Sequence, residues 1–65
     1  MEFKYHVYRK EYHQPNFLGQ NYKIVKIIEF IHHFQFHKGD YITIKDYSHH
    51  IKKVEVGPKI IKIYI

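Results

Sequence analysis

Apolar and polar positions alternate with a period of two along several short stretches of this chain. Phe3, Tyr5 and Val7 alternate with Lys4, His6 and Tyr8, a spacing that puts the two sets on opposite faces of a half-buried strand. Tyr41-Ile42-Thr43-Ile44-Lys45 repeats the pattern with Ile42 and Ile44 inward. Residues 51–56 read as a strand with Val54 and Val56 on one face, and residues 59–65 close the chain with Ile61, Ile63 and Ile65 inward. Turn formers separate these runs: His37-Lys38-Gly39-Asp40, Asp46-Tyr47-Ser48 and Gly57-Pro58. Residues 10–21, with Pro15, Asn16, Gly19 and Asn21, read as a connecting loop in which Phe17 and Leu18 are expected to tuck back as a plug against the core.

Residues 22–34 carry two patterns at once. Ile24, Ile27, Ile28, Ile31 and Phe34 fall at helical spacing behind Asn21, a possible N-cap. The β-branched run through Ile24-Val25, Ile27-Ile28 and Ile31, with no Ala or Leu, favours a long central strand instead. Such a strand, buried on both faces or bulged near Lys26, reads as a nearly continuous apolar run. Phe34-Gln35-Phe36 extends it. Strands recurring at short intervals between turns point to an all-β meander curling into a small barrel. A helix at about 22–34, giving an α+β fold, is the alternative.

Composition supports this reading and limits it. The chain contains neither Ala nor Trp and is rich in Ile, Tyr, Phe and Lys, which removes the best helix former and enriches strand formers. Sixty-five residues make one domain spanning 1–65, and a chain of this size buries only about 60% of its unfolded surface. With no cysteine, neither a disulfide nor a thiolate-bound zinc can staple the fold. Lys and Arg number 11 against 6 acids, a formal charge of +5, so an acidic partner is favoured. No continuous apolar segment suggests a signal peptide or a membrane span; a soluble cytoplasmic protein is expected, in the host cytoplasm if a phage encodes it.

Over residues 38–65 the order of Lys38-Gly39-Asp40, alternating strand, turn, Val-containing strand, Gly57-Pro58 and final Ile/Tyr strand resembles the SH3-like and Sm-like small β-barrels of short phage and bacterial accessory proteins. The resemblance implies a five-stranded barrel with a binding role and transfers no functional residue.

Catalytic chemistry finds little support. Ser48 is the only serine, beside Asp46 and His49, without the Gly-x-Ser-x-Gly elbow of a nucleophile. The acids Glu2, Glu11, Glu29, Asp40, Asp46 and Glu55 suggest no catalytic pair. Tyr47-Ser48-His49-His50-Ile51-Lys52-Lys53 faintly resembles the Ser-His segment of small toxin ribonucleases, which keeps a metal-independent ribonuclease as the lesser alternative. Seven histidines, His6, His13, His32, His33, His37, His49 and His50, invite metal binding or pH sensing. In strands, however, His33 and His37 lie roughly 13 Å apart, too far for one ion. Neither metal nor cofactor is expected.

The constellation with the clearest chemistry is an outward face. If the apolar set points inward, then Lys4, His6, Tyr8, Lys10, Tyr41, Thr43, Lys45, Lys52, Lys62 and Tyr64 point outward, interleaving cations with aromatic rings. Such a face suits an acidic protein surface, the rings supplying affinity and the charges the encounter rate. It also suits single-stranded nucleic acid, the rings stacking on bases. The expectation is therefore a non-catalytic inhibitor or adaptor that binds a host or defence protein, with a single-stranded nucleic-acid binder as the alternative. The C-terminal strand, residues 59–65, taken as a sheet edge, could add to a partner's sheet or to a second copy of the chain.

Overall fold

The computed structural model describes residues 2–12 and 22–65. They form six strands: β1 (Phe3–Tyr12), β2 (Tyr22–His32), β3 (Tyr41–Ile44), β4 (Tyr47–His50), β5 (Lys53–Val56) and β6 (Ile61–Tyr64). The all-β expectation holds, and the α+β alternative does not. The expected plug, Phe17 and Leu18, lies outside the described residues.

The architecture is a mixed four-stranded sheet, in the order β2-β1-β6-β5, with a separate β3-β4 hairpin. Two features of the expected barrel are corrected. There are six strands rather than five, and among the described residues the strands do not close into a barrel. Nor is the order a simple meander, because β6 inserts beside β1 in parallel, Tyr5 opposite Ile61 and Val7 opposite Ile63, while β5 pairs antiparallel on its other side. Both edges of β6 are thereby occupied. The C-terminal strand is not a sheet edge and has no free backbone side for a further strand; β2 and β5 are the edges of this sheet.

The hairpin packs over one face of the sheet. Tyr5 and Val7 of β1 and Ile61 and Ile63 of β6 meet Ile42 and Ile44 of β3 and Ile51, all buried, with Phe30, Phe36, Ile27, Ile28 and Val54 around them. Alternation was the correct guide for these positions. It fails at Val56, which is 72% exposed, because β5 is an edge strand whose end extends beyond the hairpin's cover. Ile65 is half-buried and packs against the core at its margin.

A β-bulge explains the double pattern of β2. Val7 pairs with Ile28 but Tyr8 pairs with Lys26, so Ile27 is an extra residue. The insertion reverses the strand's phase. Ile27 and Ile28 therefore pack against the core, while Ile24 and Ile31 are exposed on the opposite face. Residues that share a helical stripe in the sequence thus lie on two faces of a sheet. β2 ends at His32, so Phe34-Gln35-Phe36 is a connection rather than a strand extension. Tyr5 holds that connection down: its buried hydroxyl donates to the Phe34 carbonyl at 2.6 Å and accepts from the Phe36 N–H at 3.2 Å.

The turns follow local chemistry. Gly39, at φ 95°, supplies a backbone angle that side chains disfavour, and the His37 N–H donates to Asp40 Oδ2 at 2.8 Å. The β3-β4 turn is Lys45-Asp46, tighter than the expected turn at residues 46–48, and Tyr47 and Ser48 belong to β4. Lys45 and Asp46 both have positive φ, 50° and 70°, the signature of a two-residue hairpin turn that prefers Asn-Gly. Since a left-handed residue with a Cβ costs about 1–2 kcal/mol, the pair Lys45→Asn and Asp46→Gly should stabilise the fold. The expected gain is about 1 kcal/mol, read as a higher urea midpoint; an unchanged or lower midpoint would show that the turn carries no such strain.

Candidate binding face

The face of the sheet turned away from the hairpin is built by all four of its strands. Lys4, His6, Tyr8 and Lys10 alternate along β1, and Lys62 and Tyr64 stand beside them on β6, His6 opposite Lys62 and Tyr8 opposite Tyr64. Tyr8 and Tyr64 stack with centroids 5.5 Å apart. Lysines cover the rings: Lys62 Nζ is 5.9 Å from the Tyr8 centroid and Lys53 Nζ is 5.6 Å from that of Tyr64, distances at which cation and ring attract.

Both carboxylates on this face are neutralised. Glu29 accepts a hydrogen bond from Lys26 Nζ at 3.0 Å, and Lys26 with His6 holds its pKa below the ordinary value. The buried Nε2 of His6 lies 3.2 Å from Glu29 Oε2, but its alignment is outside that of a hydrogen bond, so the contact is one of charge when the ring is protonated. Glu55 is lowered chiefly by the Tyr64 hydroxyl and then by Lys53, and Tyr64 is raised in return by Glu55. Each carboxylate is thus ionised at neutral pH, and its attraction to the lysines is lost only as pH falls through that lowered value.

At one end the face deepens into a groove. β1 and β2 continue as a two-stranded ribbon past the last β6 pairing, through Tyr12 opposite Tyr22. Lys52 and Ile65 are anchored beside the step, the Lys52 N–H donating to the Tyr64 carbonyl at 2.8 Å and the Ile65 N–H to the Tyr8 carbonyl at 3.0 Å. Between ribbon and step lies a groove of about 380 Å³ lined by Arg9, Lys10, Tyr12, Ile24, Lys52, Lys53, Tyr64 and Ile65. Four of these have cationic side chains and none has an acidic one. Tyr12 and Ile24 are 58% and 52% exposed, an apolar floor without cover from any described residue. Tyr22 is held at its edge by Lys10 Nζ, 4.6 Å from the ring centroid.

The ten residues expected to share one face divide between two. Lys4, His6, Tyr8, Lys10, Lys62 and Tyr64 share the sheet face, and Lys52 joins them at the groove. Tyr41, Thr43 and Lys45 do not: they belong to the hairpin, whose Ile42 and Ile44 cover the opposite face of the sheet. Arg9, Tyr12, Ile24 and Lys53 are further groove residues that the sequence pattern missed, since the first strand extends two residues beyond Lys10. The cross-strand pairs Glu11 opposite Lys23 and Tyr12 opposite Tyr22 were its available signal.

The Ser48–His49 pair and the paired histidines named above are not brought together into one site. Ser48 and His49 are adjacent in β4, so their side chains leave opposite faces of the strand. His32 and His33 stack at 4.7 Å, but His32 Nδ1 accepts from the Phe34 N–H at 2.9 Å. His49 and His50 pair with Ile42 and Tyr41 instead of meeting them. No three His, Cys, Asp or Glu side chains are grouped to hold a metal among the described residues, and no helix there is long and apolar enough to cross a membrane.

No family model matches the chain, and neither a curated protein nor a solved structure matches it.

Proposed function

We propose that this protein is a non-catalytic binding protein, of the inhibitor or adaptor kind found among small phage-encoded proteins, and that its groove engages an acidic surface of a partner protein. One observation carries the reading: exposed Tyr12 and Ile24 form an apolar floor ringed by Arg9, Lys10, Lys52 and Lys53, without an acidic side chain in the lining. An aromatic anchor inside a polar rim is how protein interfaces concentrate affinity. The groove's volume falls in the range of about 300–1,000 Å³ that seats side chains or small ligands.

The nucleic-acid alternative uses the same cations but needs free ring faces. Tyr8 and Tyr64 stack on each other and carry lysines, which leaves less ring surface for bases. An exposed isoleucine contributes nothing to phosphate recognition and much to a protein contact.

Photo-crosslinking separates the two. A benzoylphenylalanine at position 12 should capture one discrete protein from the lysate of the source organism, and the same group at position 47, exposed on the hairpin, should not. Capture from both positions equally, or from neither, would overturn the assignment of the groove. An oligo-dT shift at low salt that weakens linearly in log salt would instead establish the nucleic-acid reading.

A further inference from the structure

The sheet and the hairpin leave a seam, and the seam has a second recognition chemistry. It runs between β2 and β3, a groove of about 330 Å³ lined by Ile28, Phe30 and Phe36 on one side and Ile42 and Ile44 on the other, with His32, Tyr41 and Thr43 at its margins. No lysine, arginine or carboxylate lines it. This is where the barrel fails to close.

The β3 edge facing that seam has free main-chain groups. Ile51 N–H donates to the Asp40 carbonyl at 2.8 Å, which makes Asp40 and Ile51 a hydrogen-bonded pair. Antiparallel pairs alternate between bonded and non-bonded, so Ile42/His49 and Ile44/Tyr47 are bonded across the hairpin, in keeping with its two-residue turn. Tyr41 and Thr43 are then the non-bonded positions, and their N–H and C=O groups point away from β4. The edge is also unguarded. Sheet edges are commonly protected by lysine, proline or a bulge; β2 carries Lys23 and Lys26 and β5 carries Lys53, whereas β3 is Tyr-Ile-Thr-Ile.

We infer that the β2/β3 seam accepts one extended segment of a partner protein, which adds as a strand to β3 and closes the barrel. Its main chain pairs with Tyr41 and Thr43, and alternate side chains, apolar, fill the space over Ile28, Phe30 and Phe36. Two copies of a chain with a formal charge of +5 repel each other while an acidic or neutral partner does not, so the occupant is a partner segment and not a second copy. This site shares no lining residue with the basic groove and stands independently of it.

The test uses a blocked peptide of roughly seven residues, ~23 Å when extended, alternating Val with Thr and ending in Glu at both termini. In amide NMR of the intact protein, the Tyr41 and Thr43 resonances should shift and gain protection from exchange, while those of Arg9 and Lys10 stay in place. Thr43→Pro removes the edge donor at a position where proline leaves the hairpin ladder intact. It should weaken binding at least tenfold, about 1.4 kcal/mol, with the unfolding midpoint preserved. A peptide N-methylated at alternate amides should likewise fail to bind. The inference is overturned if the peptide does not bind at millimolar concentration, if it shifts the groove amides instead, if Thr43→Pro binds as tightly as the parent, or if sedimentation shows that β3 serves a dimer.

Discussion

Replacing Tyr5 with alanine is expected to remove a large share of the stability of the fold. Tyr5 is fully buried, stacks on Phe30 at 5.2 Å and meets the edge of Phe36 at 5.3 Å. Removing a buried aromatic ring costs about 3–5 kcal/mol. A domain of this length has roughly 3–10 kcal/mol of stability in total, so the loss is a large fraction of it. Tyr5→Phe separates ring from hydroxyl. It keeps the packing but leaves the Phe34 carbonyl and the Phe36 N–H without their partner, a loss of about 1–3 kcal/mol. Urea unfolding should therefore rank parent, Tyr5→Phe and Tyr5→Ala in that order. A phenylalanine variant as stable as the parent would show that the connection over residues 34–36 is held by something other than that hydroxyl.

Tyr5 also illustrates what the sequence could and could not convey. Its inward direction was legible from alternation with Lys4 and His6, as was that of Val7, Ile42, Ile44, Ile61 and Ile63, because period two is enforced by local backbone geometry. Its hydrogen bonds were not, since they link residues 29 and 31 positions apart. The same distinction explains the topology. That β6 would insert in parallel between β1 and β5, leaving the barrel open at β2 and β3, depends on non-local pairing that no local pattern encodes.

The bulge at Ile27 is an intermediate case. A bulge near Lys26 could be anticipated from the broken alternation, but its consequence, exposure of Ile24 beside Lys10, required the register of β1 against β2. The binding face divided for a similar reason. Alternation states that Tyr41, Thr43 and Lys45 oppose Ile42 and Ile44; it does not state that their strand lies on the far side of the core from Lys4 and Tyr8.

Reversing two charges at the groove should abolish partner capture while leaving the fold unchanged. Lys10 and Lys53 are exposed, and each has its Nζ over a tyrosine ring, Tyr22 and Tyr64 respectively. Neither contributes to the core, so Lys10→Glu with Lys53→Glu should move the melting temperature by only about 2 °C, as surface substitutions of well under 1 kcal/mol do in a small domain. Binding responds differently. The double reversal turns four cationic groove side chains without an acidic one into two cationic and two acidic, and an acidic partner then meets like charge at the site its anchor must enter, a penalty of several kcal/mol. Affinity for the protein crosslinked through position 12 should fall at least about 100-fold, with the association rate losing most of its salt dependence. Lys45→Glu, on the hairpin, changes net charge by the same amount as either single reversal and is the control for long-range attraction. If it weakened binding as much as Lys10→Glu alone, the recognition would belong to the charge of the whole molecule rather than to the groove.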